Sequence, residues 1–257
     1  MIEFQGVSKV FAGHPAVKDL TLELREGAFS VLVGTSGSGK STTLKMINRL
    51  LEPDRGTIRF AGEDVRQQPV LTLRRRMGYA IQSIGLFPHW TVAQNIATVP
   101  QLQRWPRARI ADRIDELMAL LGLEATLRDR YPHQLSGGML QRIMIGIATS
   151  MKPSLLIADE PTTAIDAITQ FEILDELLRI KQEHQTAMVF ISHDLNAISR
   201  VADRIVVLNQ GLVVDQGDFQ HILHHATDSY TKLLVEKRTD VMRRYSQVLG
   251  GKERVYA

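Results

Sequence analysis

The chain has 257 residues, of which 44% are hydrophobic and 23% charged, and its formal net charge is +3. These values are ordinary for a globular protein with one large domain and a smaller insertion, and the charge is too small to indicate a nucleic-acid partner. The absence of cysteine excludes disulfides, thiolate zinc sites and cysteine-bound iron–sulfur clusters. No stretch reaches the roughly 18 to 20 consecutive apolar residues of a membrane-spanning helix, and Met1–Phe4 lack the features of a signal peptide. We therefore expect the chain to stay in the cytoplasm.

The first part of the chain predicts β-strands and one helix. Strand patterns occur at Ile2–Phe4 and Leu20–Leu24, separated by a turn signal at Gly13–Pro15. A third apolar run, Phe29–Val33, is followed after a glycine-rich loop by a helix-like pattern at Thr42–Ile47. The loop therefore lies between a strand and the N-terminus of a helix, where backbone N–H groups favour bound phosphate.

This phosphate loop, Gly34–Ser41, reads Gly-Thr-Ser-Gly-Ser-Gly-Lys-Ser. Its glycines let backbone N–H groups turn toward the β- and γ-phosphates of a nucleotide, while Lys40 adds a positive charge and Ser41 a hydroxyl ligand for Mg²⁺. An ordinary glycine turn needs neither the lysine nor the hydroxyl. The loop therefore predicts binding of a nucleotide together with Mg²⁺.

The remaining elements predict an α/β fold. A strand pattern at Met77–Gln82 gives way to helical periodicity from about residue 84 to 151, which indicates a helical subdomain inserted into a sheet domain. Nearly continuous apolar runs at 155–158 and 187–191 are typical of parallel strands buried on both faces, and a hairpin pattern follows at 205–214. We predict a mainly parallel core sheet, an N-terminal antiparallel β part and the inserted helical subdomain.

Two carboxylates, Asp159 and Glu160, end the apolar strand at 155–158. The carboxyl edge of a parallel sheet is also where the phosphate loop emerges, so these side chains are expected beside a bound nucleotide. Asp159 is suited to hold Mg²⁺ beside Ser41, and Glu160 can polarise the water that attacks the γ-phosphate. Alone, two acids at a strand end more often mark a solvated loop. With the phosphate loop, they predict a hydrolytic site.

The order of six separated motifs resembles that of the ATP-binding-cassette ATPases, a branch of the P-loop NTPases. The resemblance covers about residues 1–225 and leaves 226–257 as a C-terminal helical tail. In the terms of that family, the chain has a Walker A motif at Gly34–Ser41, a Q-loop glutamine at Gln82, a signature motif at Leu135–Gln141, a Walker B motif at Leu155–Glu160, a D-loop at 164–166 and a switch histidine at His193.

The resemblance implies a role for each motif. It assigns catalysis to Glu160, His193 and Gln82, and it assigns Mg²⁺ to Ser41, Gln82 and Asp159. The residues that it assigns to ATP are Phe11, which would stack on adenine, and Gly34, Thr35, Ser36, Gly37, Ser38, Gly39, Lys40, Ser41 and Thr42.

Sites of this family are completed by a second subunit, so the resemblance implies a dimer closed head to tail over ATP. The signature residues would contact the ATP held by the partner, and Asp166 would support the contact between the subunits; these signature residues are Leu135, Ser136, Gly137, Gly138 and Met139. The second cassette can be an identical copy or a paralogue.

The resemblance is to the energising subunits of bacterial importers, which act at the cytoplasmic face of the inner or plasma membrane. It implies an integral-membrane permease as a direct partner, docked on Ile84–Ile96 after the Q-loop, and a solute-binding protein as an indirect one. Packing within the helical subdomain explains the aromatics of this segment almost as well. The alternative from another functional class is a soluble ATPase that drives assembly or remodelling without a permease.

The two halves of the chain resemble different importers. Residues 1–135 are similar to cassettes for glycine betaine, choline and related osmoprotectants, whereas residues 136–257 are similar to cassettes for peptides, nickel and metallophores. Met139 also stands where the osmoprotectant branch has glutamine. Because the segment after Gln82 selects the permease, we favour osmoprotectant import. Natural divergence and recombination near residue 135 could both give this mixed resemblance. Recombination would predict poor packing between the helical subdomain and the core.

Overall fold

Two β-sheets and an inserted group of helices make up the computed structural model, which describes residues 1–81, 85–163 and 165–236. The strands are β1 (Ile2–Phe11), β2 (His14–Leu24), β3 (Phe29–Val33), β4 (Arg55–Phe60), β5 (Glu63–Asp64), β6 (Met77–Ala80), β7 (Leu155–Asp159), β8 (Ala187–Ile191), β9 (Arg204–Asn209) and β10 (Leu212–Gly217). The α-helices are α1 (Lys40–Ile47), α2 (Val70–Arg75), α3 (Val92–Leu102), α4 (Arg107–Leu120), α5 (Gly137–Thr149), α6 (Ala167–His184) and α7 (Leu195–Val201). Shorter helical turns lie at Ala125–Leu127, Pro132–Gln134 and His221–His225, and residues 229–236 are helical.

The core sheet has the strand order β10-β9-β3-β8-β7-β6. Every neighbouring pair from β9 to β6 is parallel, and only β10 runs antiparallel to its neighbour β9, which confirms the predicted sheet and its terminal hairpin. Every residue of β3, β7 and β8 is buried, as their unbroken apolar sequences require. The carboxyl ends of these three strands meet at one edge, and the segments that follow them form the candidate site.

The antiparallel sheet has the order β2-β1-β4-β5. Its first hairpin is longer than predicted, because β1 continues to Phe11 and β2 already begins at His14. The predicted turn at 13–15 is therefore wrong: Ala12 and Gly13 make the turn, both with positive φ (46° and 81°), as a tight two-residue hairpin requires. Pro15 lies in β2, where an edge strand tolerates the missing N–H.

The predicted helical subdomain contains α3, α4 and α5. Thr91 and Gln94 form a reciprocal cap at the start of α3. At the other end of the subdomain, the buried guanidinium of Arg113 on α4 donates to the carbonyl oxygens of Thr149 and Ser150, both at 2.9 Å, and so caps α5. The division into a domain at 1–225 and a tail at 226–257 stays a prediction; the described part of that tail packs Tyr230 and Leu234 against the core.

Packing is continuous across residue 135, where the two sequence resemblances meet. Apolar residues of α4 and residues from α5 and α6 belong to one buried cluster, which includes Ile110, Ile114, Leu117, Ile143, Met144 and Ile173. The poor packing that recombination would predict between the two halves stays a prediction. The helical subdomain and the core therefore share a hydrophobic interior.

Candidate nucleotide site

The phosphate loop connects β3 to α1, and its backbone packs closely against the backbones of β2 and β9. A Cβ atom on Gly34 would lie 2.2 Å from the carbonyl oxygen of Leu208, and one on Gly39 would lie 2.4 Å from that of Ala16. Gly39 also has a φ of 101°, which side chains of L-residues rarely adopt. Only glycine fits at these two positions, so the loop's close approach to β2 and β9 depends on them.

The turn between β9 and β10 supports the loop from the side. The Gly211 N–H donates to the carbonyl oxygen of Ser38 at 3.1 Å, and the Gly211 carbonyl accepts from the Lys18 N–H at 2.8 Å. Ser38 is buried, with 2% of its surface exposed. Gly211 therefore links the backbone of the loop, at Ser38, to Lys18 on β2 of the other sheet.

Lys40 lies folded inside the loop. Its ammonium donates to the carbonyl oxygens of Gly34 and Thr35, both at 2.8 Å, and only 5% of the residue is exposed. Burial lowers the pKa of Lys40, and the carboxylates of Glu160 and Asp159 oppose that shift. The site therefore holds a poorly solvated cation, which is suited to bind an anionic ligand.

Ser41 and Asp159 meet across the loop. The Ser41 hydroxyl donates to Asp159 Oδ1 at 3.2 Å. Burial raises the pKa of Asp159, and the hydrogen bond from Ser41 acts in the opposite direction. A hydroxyl and a carboxylate oxygen at this separation form the kind of hard oxygen pair that Mg²⁺ takes as ligands, so these residues fit the predicted ion. Gln82, the third predicted Mg²⁺ ligand and a predicted catalytic residue, lies outside the described residues.

Glu160 and His193 also meet. His193 Nε2 lies 2.6 Å from Glu160 Oε1, and the Thr163 hydroxyl donates to Glu160 Oε2 at 3.1 Å. Glu160 has a φ of 50°, a left-handed conformation that costs a non-glycine residue about 1–2 kcal/mol. Both oxygens of the carboxylate are thus held in place at the sheet edge, and the sequence reasoning missed Thr163. Its only signal in the sequence is its position three residues after Glu160.

A cleft of about 280 Å³ joins these groups. Eight predicted residues line it together with Ala16, which the sequence reasoning missed because its contact with the loop is through the backbone. The predicted residues are Ser36, Gly37, Gly39, Lys40, Ser41, Thr42, Glu160 and His193. The structure therefore brings the loop and the predicted catalytic residues to one cavity.

Phe11 lies at the end of β1, outside the set of described residues that line the cleft. Phe11 is 44% exposed, and the ammonium of Lys9 lies 5.5 Å from the centroid of its ring. An exposed aromatic at a hairpin end is free to stack on a planar ligand. Stacking of Phe11 on adenine stays a prediction.

The signature residues form a separate surface, because none of Leu135–Met139 is among the described residues that line the cleft. Ser136 caps α5, and its hydroxyl accepts from the Met139 N–H at 3.3 Å. Asp166 caps α6 by accepting from the Thr169 N–H at 2.9 Å, and this backbone hydrogen bond lowers the pKa of Asp166. A Cβ atom on Gly138 would lie 2.4 Å from Thr169 Cγ2, so the two helix starts touch.

Comparison with known proteins identifies the family. The family model described as ABC transporter matches residues 17–163, a region that contains the phosphate loop, the signature residues and both strand-end carboxylates. The chain belongs to the ABC transporter family. It is an ATPase domain of that family, which confirms the predicted fold class.

Two curated relatives are cassettes for osmoprotectants. The glycine betaine uptake system ATP-binding protein YehX of Escherichia coli K12 is 61% identical over 218 residues, which cover 85% of this chain and 71% of YehX. The glycine betaine/carnitine/choline transport ATP-binding protein OpuCA of Bacillus subtilis is 40% identical over 250 residues, which cover 95% of this chain and 66% of OpuCA. The chain thus spans about two thirds of the length of these relatives. Both alignments are longer than either half of the chain, so this similarity continues past residue 135.

Solved structures of a bacterial ABC transporter cassette, MJ0796, have the same fold. A dimeric structure of MJ0796 matches with a TM-score of 0.78 and 29% identity, covering 85% of this chain and 99% of that one. A dimeric post-hydrolysis state of the same cassette, bound to ADP and Pi, matches with a TM-score of 0.75 and 28% identity over the same shares of the two chains. In the described part of our chain, no helix is both long and apolar enough to cross a membrane.

Proposed function

We propose that this cassette hydrolyses ATP to power a bacterial importer of small osmoprotectants such as glycine betaine or choline. It would act as a peripheral subunit at the cytoplasmic face of the membrane. The observation that carries the hydrolytic part is the Glu160–His193 contact of 2.6 Å at a cleft that also contains Lys40 and Ser41. The similarity to YehX and OpuCA supports the solute class.

The cleft residues account for hydrolysis by positioning and charge. The loop N–H groups and the Lys40 ammonium bind the β- and γ-phosphates. Ser41 and Asp159 would hold Mg²⁺, which would neutralise the charge that develops on the phosphate oxygens. Glu160 orients the attacking water and accepts its proton, while His193 and Thr163 keep the carboxylate in one orientation.

A second cassette completes the site. Ser136 and Gly137 are exposed and lie at the N-terminus of α5, where a hydroxyl and free N–H groups favour a phosphate. They are separate from the cleft of their own chain, so they are available to the ATP held by another subunit. Asp166 lies beside them and contacts that subunit. The dimeric structures of MJ0796 support this arrangement.

The permease docks on the aromatic segment before α3. Phe87 is 45% exposed, and its ring lies 4.5 Å from that of Trp90. Buried Asn95 fixes the backbone of this segment, because its amide donates to the carbonyl oxygens of Phe87 and Trp90, both at 3.2 Å. An exposed Phe87 ring held beside a partly buried Trp90 is suited to a groove that receives a partner helix. The cassette does not contact the solute, which is selected by the permease and the solute-binding protein.

Capture and transport test the proposal together. The Glu160→Gln chain, loaded with Mg-ATP, is used to purify its membrane partner from the source organism, and the wild-type complex is then reconstituted in vesicles. ATP-dependent uptake of labelled glycine betaine or choline is expected. Uptake of oligopeptides or nickel alone would assign the alternative solutes. Failure to recover any integral-membrane protein would favour a soluble remodelling ATPase.

A further inference from the structure

Arg142 joins three elements near the start of the signature helix. Its guanidinium donates to the carbonyl oxygen of Leu121 at the end of α4 at 3.2 Å, and to Glu172 and Glu176 on α6 at 2.7 and 3.1 Å. The Arg142 side chain is only 14% exposed. This pairing differs from an ordinary surface ion pair because the guanidinium is held by several acceptors in a largely desolvated place.

The two helices that Arg142 connects begin side by side. Ser136 caps α5 and Asp166 caps α6, and the Gly138–Thr169 contact leaves no room for a Cβ atom between the two starts. Arg142 follows Ser136 by the same number of residues as Glu172 follows Asp166. Because each helical residue rises 1.5 Å, the ion pair lies about 9 Å along both helices from their caps. The ion pair therefore fixes the position of the N-terminus of α5, along the helix axis, relative to the N-terminus of α6.

The chemistry of Glu176 indicates that this pairing does more than add stability. Glu176 Oε2 is buried without a hydrogen-bond partner in the described part of the chain, and burial raises the pKa of Glu176 to about 7. A buried ion pair is often no more stabilising than apolar residues of similar volume, whereas it does impose one geometry. The pairing of Arg142 with the two glutamates is therefore suited to set the orientation of α5 relative to α6.

We propose that Arg142 is a positioning residue for the ATP site shared between two subunits. Because it prevents α5 from sliding along α6, it keeps Ser136 and Asp166 in one fixed arrangement that faces the opposing subunit. The proposal rests on the proposed function, because it requires that these two residues act on the partner's nucleotide. Arg142 is not among the described residues that line the cleft of its own chain, so ATP binding by a monomer is not expected to depend on it.

Variants of the ion pair test this role. In the Glu160→Gln background, Arg142→Ala is expected to weaken ATP-driven dimerisation at least tenfold while leaving the monomer's ATP affinity within twofold. With Glu160 intact, the same change is expected to lower kcat at least tenfold. Arg66→Ala is the control for the loss of an ion-paired arginine elsewhere, because Arg66 makes an exposed pair with Asp64 of the antiparallel sheet, and both quantities should stay within twofold.

A second variant covers the case in which Arg142→Ala fails to fold. Glu172 is 55% exposed, so Glu172→Ala is compatible with folding, and it is expected to weaken dimerisation at least threefold with ATP affinity unchanged. Dimerisation within twofold of the parent for Glu172→Ala, or for Arg142→Ala where it folds, would overturn the positioning role alone. A Glu160→Gln parent that binds ATP and stays monomeric would overturn an ATP site shared by two copies of this chain, and the positioning role in such a dimer with it.

Discussion

His193 Nε2 and Glu160 Oε1 lie 2.6 Å apart although the two residues follow different strands. Asp159 at the end of β7 pairs in register with Ile191 at the end of β8, so the residues that follow the two strands emerge next to each other. The parallel register of the core sheet therefore brings the acid and the imidazole together. The left-handed backbone at Glu160 keeps the carboxylate there.

His193→Ala tests this contact. Without the imidazole, Glu160 Oε1 loses the contact that helps to hold the carboxylate in one orientation, whereas the Thr163 hydroxyl still donates to Oε2. We expect kcat for ATP hydrolysis to fall about 100-fold, a typical loss for general-base catalysis, with ATP affinity within twofold. Steady-state kinetics and equilibrium titration with ATP measure the two quantities. Unchanged kcat would show that the contact has no part in hydrolysis.

Lys40→Ala tests the cation of the phosphate loop. The ammonium contributes charge-assisted hydrogen bonds worth about 1.5–3 kcal/mol, so ATP binding is expected to weaken about 10- to 100-fold. The melting temperature without nucleotide serves as the control for folding, because the same ammonium also bonds the loop carbonyls. ATP affinity equal to that of the wild type in a folded variant is incompatible with the proposed phosphate contact.

Gly39→Ala tests the crowding beneath the loop, and Gly62→Ala is its matched control. Both glycines have left-handed φ values (101° and 84°), but a Cβ atom meets Ala16 O at 2.4 Å only at position 39, whereas nothing lies within 4 Å at position 62. The control should lose about 1–2 kcal/mol of unfolding free energy and keep its ATP affinity. Gly39→Ala should lose more stability and bind ATP at least tenfold more weakly. Equal effects of the two changes on urea unfolding and on ATP titration would contradict the claim that the close contact with Ala16 excludes a Cβ atom at position 39.

Glu176→Gln tests the buried carboxyl through the pH dependence of stability. Burial raises the pKa of Glu176 from 4.5 to about 7 in the folded chain, with Arg142 opposing the shift, so the folded state binds the proton more tightly than the unfolded state. The wild type should therefore lose stability as pH rises through this range, by up to about 3 kcal/mol from this group. The glutamine cannot ionise, so its stability relative to the wild type should increase over the same range. Urea unfolding series at several pH values measure this difference, and a constant difference would refute it.

The sequence alone predicts the fold and most of the cleft, because both depend on local patterns. Apolar runs define the core strands, and the glycines, Lys40 and Ser41 fall within one short loop. The contacts that complete the site are long-range, such as Ser41 with Asp159 and Arg142 with Glu172, and only the sheet register and helix packing determine them. The first hairpin turn was misplaced because Gly13–Pro15 is a stronger local turn signal than Ala12–Gly13, whereas the pairing of Phe11 with His14 decides its position.

The mass of the Glu160→Gln chain in solution tests the central claim most directly. The variant should bind Mg-ATP without hydrolysing it, so the closed state accumulates. Light scattering after size exclusion should give a monomer without nucleotide and a dimer with Mg-ATP, because each cleft then receives Ser136 from the other subunit. A chain that binds ATP and stays monomeric, or one that dimerises equally well without nucleotide, would contradict an ATP site shared by two copies.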